Sequence, residues 1–164
     1  MIHIQAPQNY QEHLSAKRPA VFLGGSIEMG AAERWQDELA DALEGENVLL
    51  LNPRRTDWDA SWKQSMDHPQ FRGQVEWELQ ALEEADLIIL YLQPGTKSPI
   101  SLLEFGLYAK NAPEKLLICC PDGFWRKGNV DIVAARYGVQ QVADKAALTE
   151  TLRIFVKTGQ LEAA

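Results

Sequence analysis

The side chains best suited to chemistry in this chain are carboxylates, and Glu104 is the first of them. It follows an apolar run, DLIILYL from Asp86 to Leu92, and a turn, PGTKSP. It then sits in SLLEFGLYAK among Leu102, Leu103, Phe105 and Leu107, the one charge of that stretch before Lys110. A carboxylate in apolar surroundings is held ready for nucleophilic or acid–base work, because burial raises its free energy in the charged form. The same position near a helix start also suits an acid that only complements the helix dipole. Glu78, Asp86 and Asp57 are its possible partners. Asp86 opens the run at its N-terminal end, roughly 20 Å from the far end at ~3.3 Å per residue, which suits a structural role. Glu78 lies on the preceding helix and reaches the site only if that helix end faces it.

Other chemistries find less support. His3 and His13 lie in an N-terminal arm and His68 in a loop, and there is no GxSxG elbow for a serine nucleophile. No His/Cys cluster has metal-ligand spacing, so no metal site is expected. Cys119 and Cys120 are adjacent in LLICC with no basic neighbour, which reads as two buried, reduced thiols. GGSIEMG, from Gly24 to Gly30, fits neither phosphate-loop pattern, and its Glu28 would repel an anion. Its glycines and Ser26 still allow backbone N–H groups to approach a small polar ligand, and a plain tight turn is the alternative.

The elements that must hold these residues alternate. Strands are expected at PAVFLGG, NVLLLNP, Asp86 to Leu92, KLLICCP and GVQQVA, the last being weakest. Helices are expected at Ala31 to Gly45, at FRGQVEWELQALEEA with apolar residues at helical spacing at Phe71, Val75, Leu79 and Leu82, at the Glu104 segment, at Asn129 to Tyr137, and at DKAALTETLRIFVKTG with Leu148, Leu152, Phe155 and Val156 inward. Five strands alternating with helices predict an α/β fold, a single-domain doubly wound parallel sheet of flavodoxin-like order 2-1-3-4-5. Residues 1–18 are set apart as an N-terminal arm and 19–164 as the domain. A ligand crevice is expected where the first and third strands diverge. It gathers Gly24 to Glu28, the long loop Arg54 to Trp62, Ser98 to Glu104, and Asp122 to Asn129. Trp58, Trp62 and Phe124 lie in loops, where they either stack on a planar base or cover the core. Arg54 and Arg55 suit ion pairs with Asp57 or Asp59 as a loop scaffold.

The bulk properties set the class. The 164 residues, 46% hydrophobic and 24% charged, suit one soluble globular domain. A net charge of −7 argues against a general nucleic-acid or anionic-membrane surface. No apolar run approaches the ~20 residues that span a bilayer. The N-terminal segment has no long apolar core, so a cytoplasmic location is expected.

GGSI, NPRR, FRGQVEWELQALEEADLIILYL and SPISLLEFGLY together resemble the nucleoside 2-deoxyribosyltransferases, most of all their divergent bacterial branch. The resemblance runs from about Pro19 to Val142 and extends to the related deoxynucleoside monophosphate N-glycosidase. It implies that Glu104, in Glu104-Phe105-Gly106, is a nucleophile forming a covalent glycosyl-enzyme. It implies that Glu78 stands where the family has an aspartate handling the nucleobase, and Ser98 where transferases have an aspartate for the sugar hydroxyls. The glycosidase has a phosphate-contacting serine at that second place. Asn129 resembles an asparagine that approaches the sugar pocket, often from a neighbouring subunit. Gly25, Ser26 and Ile27 of the glycine turn, with Asp57 and Trp58 of the long loop, complete the expected substrate-binding set. The glycosidase has an arginine in its GSI turn where this chain has Glu28, which disfavours a 5′-phosphate. The implied function is transfer of deoxyribose between nucleobases by a homo-oligomer without a cofactor. Hydrolysis of a nucleoside or nucleotide, and non-catalytic nucleoside binding, are the alternatives.

Overall fold

The four central strands of this chain are short runs with no polar residue until their ends, as strands covered on both faces must be. The computed structural model of the protein describes residues 1–161, the side chain of Met29 excepted. Its strands are β1 (Ile2–Gln5), β2 (Ala20–Gly25), β3 (Leu49–Asn52), β4 (Leu87–Tyr91), β5 (Leu116–Cys119) and β6 (Gln140–Val142). Its helices are α1 (Trp35–Ala42), α2 (Pro69–Glu84), α3 (Pro99–Asn111), α4 (Lys127–Tyr137) and α5 (Lys145–Thr158). Every strand pair is parallel, in the order β1-β3-β2-β4-β5-β6.

Side chains alternate across this sheet and divide the core in two. Phe22, Leu51, Ile88, Leu90 and Ile118 meet Ala81 and Leu82 of α2, Phe105 and Ala109 of α3, and Val130 and Ala134 of α4. Val21, Leu23, Leu50, Ile89 and Leu117 meet Trp35 and Leu39 of α1 and Leu148, Leu152 and Phe155 of α5. The sheet is thus wound on both faces.

One expectation needs correction. The sheet has six strands rather than five, because the N-terminal arm supplies β1, paired from Ile2↔Leu49 to Gln5↔Asn52. Ile2 and Ile4 pack against the core while His3 and Gln5 alternate with them. A four-residue edge strand of period two has no continuous apolar run to betray it. Tyr10 then locks the arm onto α2 by an edge contact to Trp77, whose Nε1 donates to the Gln8 carbonyl at 2.9 Å. The five strands after the arm keep the expected order, with β1 added outside. In α2, Val75 and Leu79 face solvent, and the buried stripe is Gln74, Ala81 and Leu82. Of the four spaced apolar residues, Leu82 is thus buried, Phe71 half-buried, and Val75 and Leu79 exposed.

Asp86 has the structural role expected of it. Its Oδ2 accepts from the Ala20 N–H at 2.8 Å, joining the starts of β4 and β2.

Candidate active site

β2 and β4 are neighbours, and the chain leaves them for opposite faces of the sheet, to α1 after β2 and to α3 after β4. That divergence opens the crevice in which parallel α/β folds bind ligands. Gly25 ends β2 at φ 138°, where a Cβ would lie 2.2 Å from the Tyr91 carbonyl oxygen. Only glycine permits this approach, and it lets the Ser26 N–H donate to that carbonyl at 2.8 Å.

Ser26 is fully buried and central to a knot of hydroxyls. Its Oγ lies 2.7 Å from Thr96 Oγ1 and 2.6 Å from Ser98 Oγ, and accepts from the Gln93 N–H at 2.9 Å. Ser101 Oγ donates to the Gly25 carbonyl at 2.9 Å, so α3 is tied to the end of β2. Glu28 closes the turn from the other side. Its Oε1 accepts from the backbone N–H groups of Lys97 and Ser98 at 2.9 and 2.7 Å. A carboxylate of the chain itself therefore sits on N–H groups at the start of α3, the place where a helix attracts anions. Glu28 and Ser98 both hold left-handed backbone, φ 46° and 45°, a conformation these bonds must stabilise.

The helix that begins in this knot carries Glu104 on its inward face. Glu104 is 7% exposed. Burial first, and then the charge of Glu78, push its carboxyl up to about 8, and among the described residues no hydrogen bond offsets them. Glu78 reaches it from α2. Burial raises the Glu78 pKa, and a hydrogen bond from Gln74 partly restores it. The two acids thus have unequal settings: among the described residues Glu78 has a hydrogen bond that offsets its burial and Glu104 has none.

Gln74 fixes this corner. Its Nε2 donates to the Pro53 carbonyl just beyond β3 at 2.9 Å, and to Glu78 Oε1 at 2.8 Å. The long loop that starts at Pro53 packs mainly on itself. Arg54 reaches back to the carbonyls of Gly30, Ala32 and Glu33. Arg55 holds Asp57 through two bonds of 2.8 and 2.7 Å and lies over the Trp62 ring, which meets Trp58 at 5.1 Å and His68 at 5.9 Å. The Trp58 Nε1 is buried without a partner among the described residues.

The fold therefore collects Gly25, Ser26, Ser98 and Glu104 around the ends of β2 and β4, with Glu78 facing them from α2. Ile27 is half-buried in the turn between Ser26 and Glu28. Asp57 is exposed and its carboxylate is engaged with Arg55, the scaffold role considered for it. Asn129 is exposed on the first turn of α4, and no hydrogen bond or ion pair among the described residues joins its side chain to the acids. Gln74 and Thr96 went unremarked in the sequence. An amide four residues before Glu78, on the same helical face, was the available signal for the first. Thr96 carried none beyond its place in the turn.

A model of one protein family, described as nucleoside 2-deoxyribosyltransferase like, matches residues 18–124. The match takes in β2 to β5 and every residue of the acid pair and hydroxyl knot. The chain belongs to the nucleoside 2-deoxyribosyltransferase-like family. No curated protein matches the sequence. The family match stops short of Asn129, so the expected sugar contact on α4 lies outside it. Among the described residues no group of His, Cys, Asp or Glu has the makings of a metal site, and no helix is long and apolar enough to cross a membrane.

Proposed function

We propose that this protein cleaves the N-glycosidic bond of 2′-deoxynucleosides and passes the sugar to a second nucleobase, with Glu104 as nucleophile and Glu78 as the acid and base. The observation that carries the reading is the pair of inward carboxyls, the buried Glu104 and the half-buried Glu78, at the crevice between β2 and β4. One proton shared by the pair suffices. Once that proton has passed from Glu104, which holds it below about pH 8, to Glu78, the Glu104 carboxylate faces the positive charge that develops at the anomeric carbon in an oxocarbenium-like transition state. A bond forms from the Glu104 carboxylate oxygen to that carbon as the carbon–nitrogen bond breaks, and the departing base takes the Glu78 proton. Glu78 then takes a proton from the incoming base, whose nitrogen displaces Glu104 and restores the starting state. Water in place of the second base gives hydrolysis.

Ser26 and Ser98 supply hydroxyls beside the sugar, and the Trp58 loop covers the base. Asn129 completes the sugar pocket from another copy of the chain. Glu28 sets the substrate as a nucleoside rather than a nucleotide, since it already occupies the N–H groups of Lys97 and Ser98 and would repel a 5′-phosphate. The outer faces of α2 and α3 carry Val75, Leu79, Ile100, Leu103 and Leu107 exposed, and a second copy of the chain covers them. We place the enzyme in the cytoplasm, where two unpaired buried cysteines remain reduced.

The test is turnover of deoxynucleosides with a second base, followed by chromatography of both bases and of free deoxyribose. Wild-type protein should form the new nucleoside, and Glu104→Ala should form less by at least about 10³-fold. Equal rates in the two proteins would remove Glu104 from the mechanism. Free deoxyribose formed with no dependence on the acceptor would turn the reading to hydrolysis.

A further inference from the structure

We propose that Gln74 is the positioning residue for Glu78, an amide strut that ties its carboxylate to the end of β3 and fixes its orientation toward the base. The inference rests on the reading of Glu78 as the acid that serves the leaving base.

Gln74 is 4% exposed on α2 and spends both amide hydrogens on acceptors, the Pro53 carbonyl at 2.9 Å and Glu78 Oε1 at 2.8 Å. The orientation of the amide is therefore fixed, since the reverse would set its oxygen against two other oxygens. One bond reaches the backbone at the end of a sheet strand and the other reaches the acid, so Glu78 is held to the rigid part of the fold. The strut has a cost. Gln74 Oε1 is buried and has no partner among the described residues. A buried oxygen without a donor is unfavourable, and an apolar side chain of equal length would spare that loss. Packing alone does not account for a glutamine here. Its two donated hydrogen bonds do, one to the backbone beyond β3 and one that orients the Glu78 carboxyl and lowers a pKa that burial raises. The titratable group facing Glu78 from the neighbouring helix is Glu104. Gln74 makes no bond to it among the described residues and acts on it only through Glu78.

Gln74→Met removes both N–H donors at nearly constant volume. With a deoxynucleoside and a second base, kcat should fall by tenfold or more, on the order expected for a misplaced general acid, while KM for the nucleoside changes less than about threefold. Carbon-13 NMR of the glutamate carboxyls should show Glu78 titrating at higher pH in the variant than in the wild type. The double variant Gln74→Met/Glu78→Gln should be no slower than Glu78→Gln alone, because a strut has nothing left to position. Losses that multiply in the double variant, or a Glu78 titration unchanged in Gln74→Met, would overturn the proposal. If the wild-type protein turns over no nucleoside, the functional reading fails, and the titration still decides the role of Gln74. Should Gln74→Met fail to fold, Gln74→Asn, too short to span both acceptors, is predicted to give the same titration shift, and its absence would refute the strut.

Discussion

The two faces of the sheet are built to different rules. On one, α1 and α5 bury Trp35, Leu39, Leu148, Leu152 and Phe155, while their charges stay outside, as where Lys145 bridges Glu33 and Glu38. On the other, α2 and α3 turn Gln74, Glu78, Ser98, Ser101 and Glu104 toward the crevice and leave Val75, Leu79, Ile100, Leu103 and Leu107 in solvent. The first face follows the ordinary amphipathic pattern and holds the fold together. The second mixes apolar and polar, burying Ala81, Leu82, Phe105 and Ala109 beside its polar groups. Turning carboxyls inward costs stability and apolar side chains outward promote association, which fits the site and the second copy of the proposed function.

The comparison can be broken most directly at the inward acids. Glu78→Gln removes the group proposed to exchange a proton with the base, and transfer measured by steady-state kinetics should slow by about 10²-fold or more, with the fold unchanged by circular dichroism. A rate within a factor of two of wild type would leave Glu78 a merely buried acid.

Stability should move the other way at the neighbouring position. The Glu104 pKa is raised from 4.5 to about 8 in the folded protein, so the folded state holds a proton that the unfolded chain releases. Protonation therefore supports folding fully below the unfolded value near 4.5, and that support is lost as pH rises through about 8. Glu104→Gln, neutral at every pH, should match wild type near pH 4 and exceed it above pH 8 by roughly 3–5 kcal/mol in denaturant unfolding. A difference that does not grow with pH would mean that burial of this carboxyl carries no strain. The outward residues should show the smallest effect on the single chain. Leu103→Asp should alter monomer stability by no more than about 0.5 kcal/mol, yet light scattering should show a smaller assembly than wild type. A wild-type protein that is already monomeric would strip the outer apolar face of its explanation.

Much of this was legible in the chain. Four strands announce themselves because a strand covered on both faces must be apolar at every position, and α5 because its partner is a plain core. Glu104 stood out for the same reason inverted, as one charge in an apolar helix. β1 was hidden because an edge strand needs only two inward isoleucines. In α2 the apolar periodicity did not by itself mark the core, because its inward face includes Gln74 and Glu78 while Val75 and Leu79 lie outside. The hydroxyl knot was hidden because Ser26 and Ser98 are 72 positions apart and nothing local to either predicts a 2.6 Å contact.

The sequence by itself determined the alternation of strand and helix, the order of the five main strands and the isolation of Glu104, because these follow from which residues water excludes. Tertiary structure alone decided that Glu78 faces Glu104, that Gln74 braces it against β3, and that Glu28 fills the start of α3. Each of these is a pairing of polar groups across the fold, and such pairs form where packing removes water and leaves a donor and an acceptor no other choice.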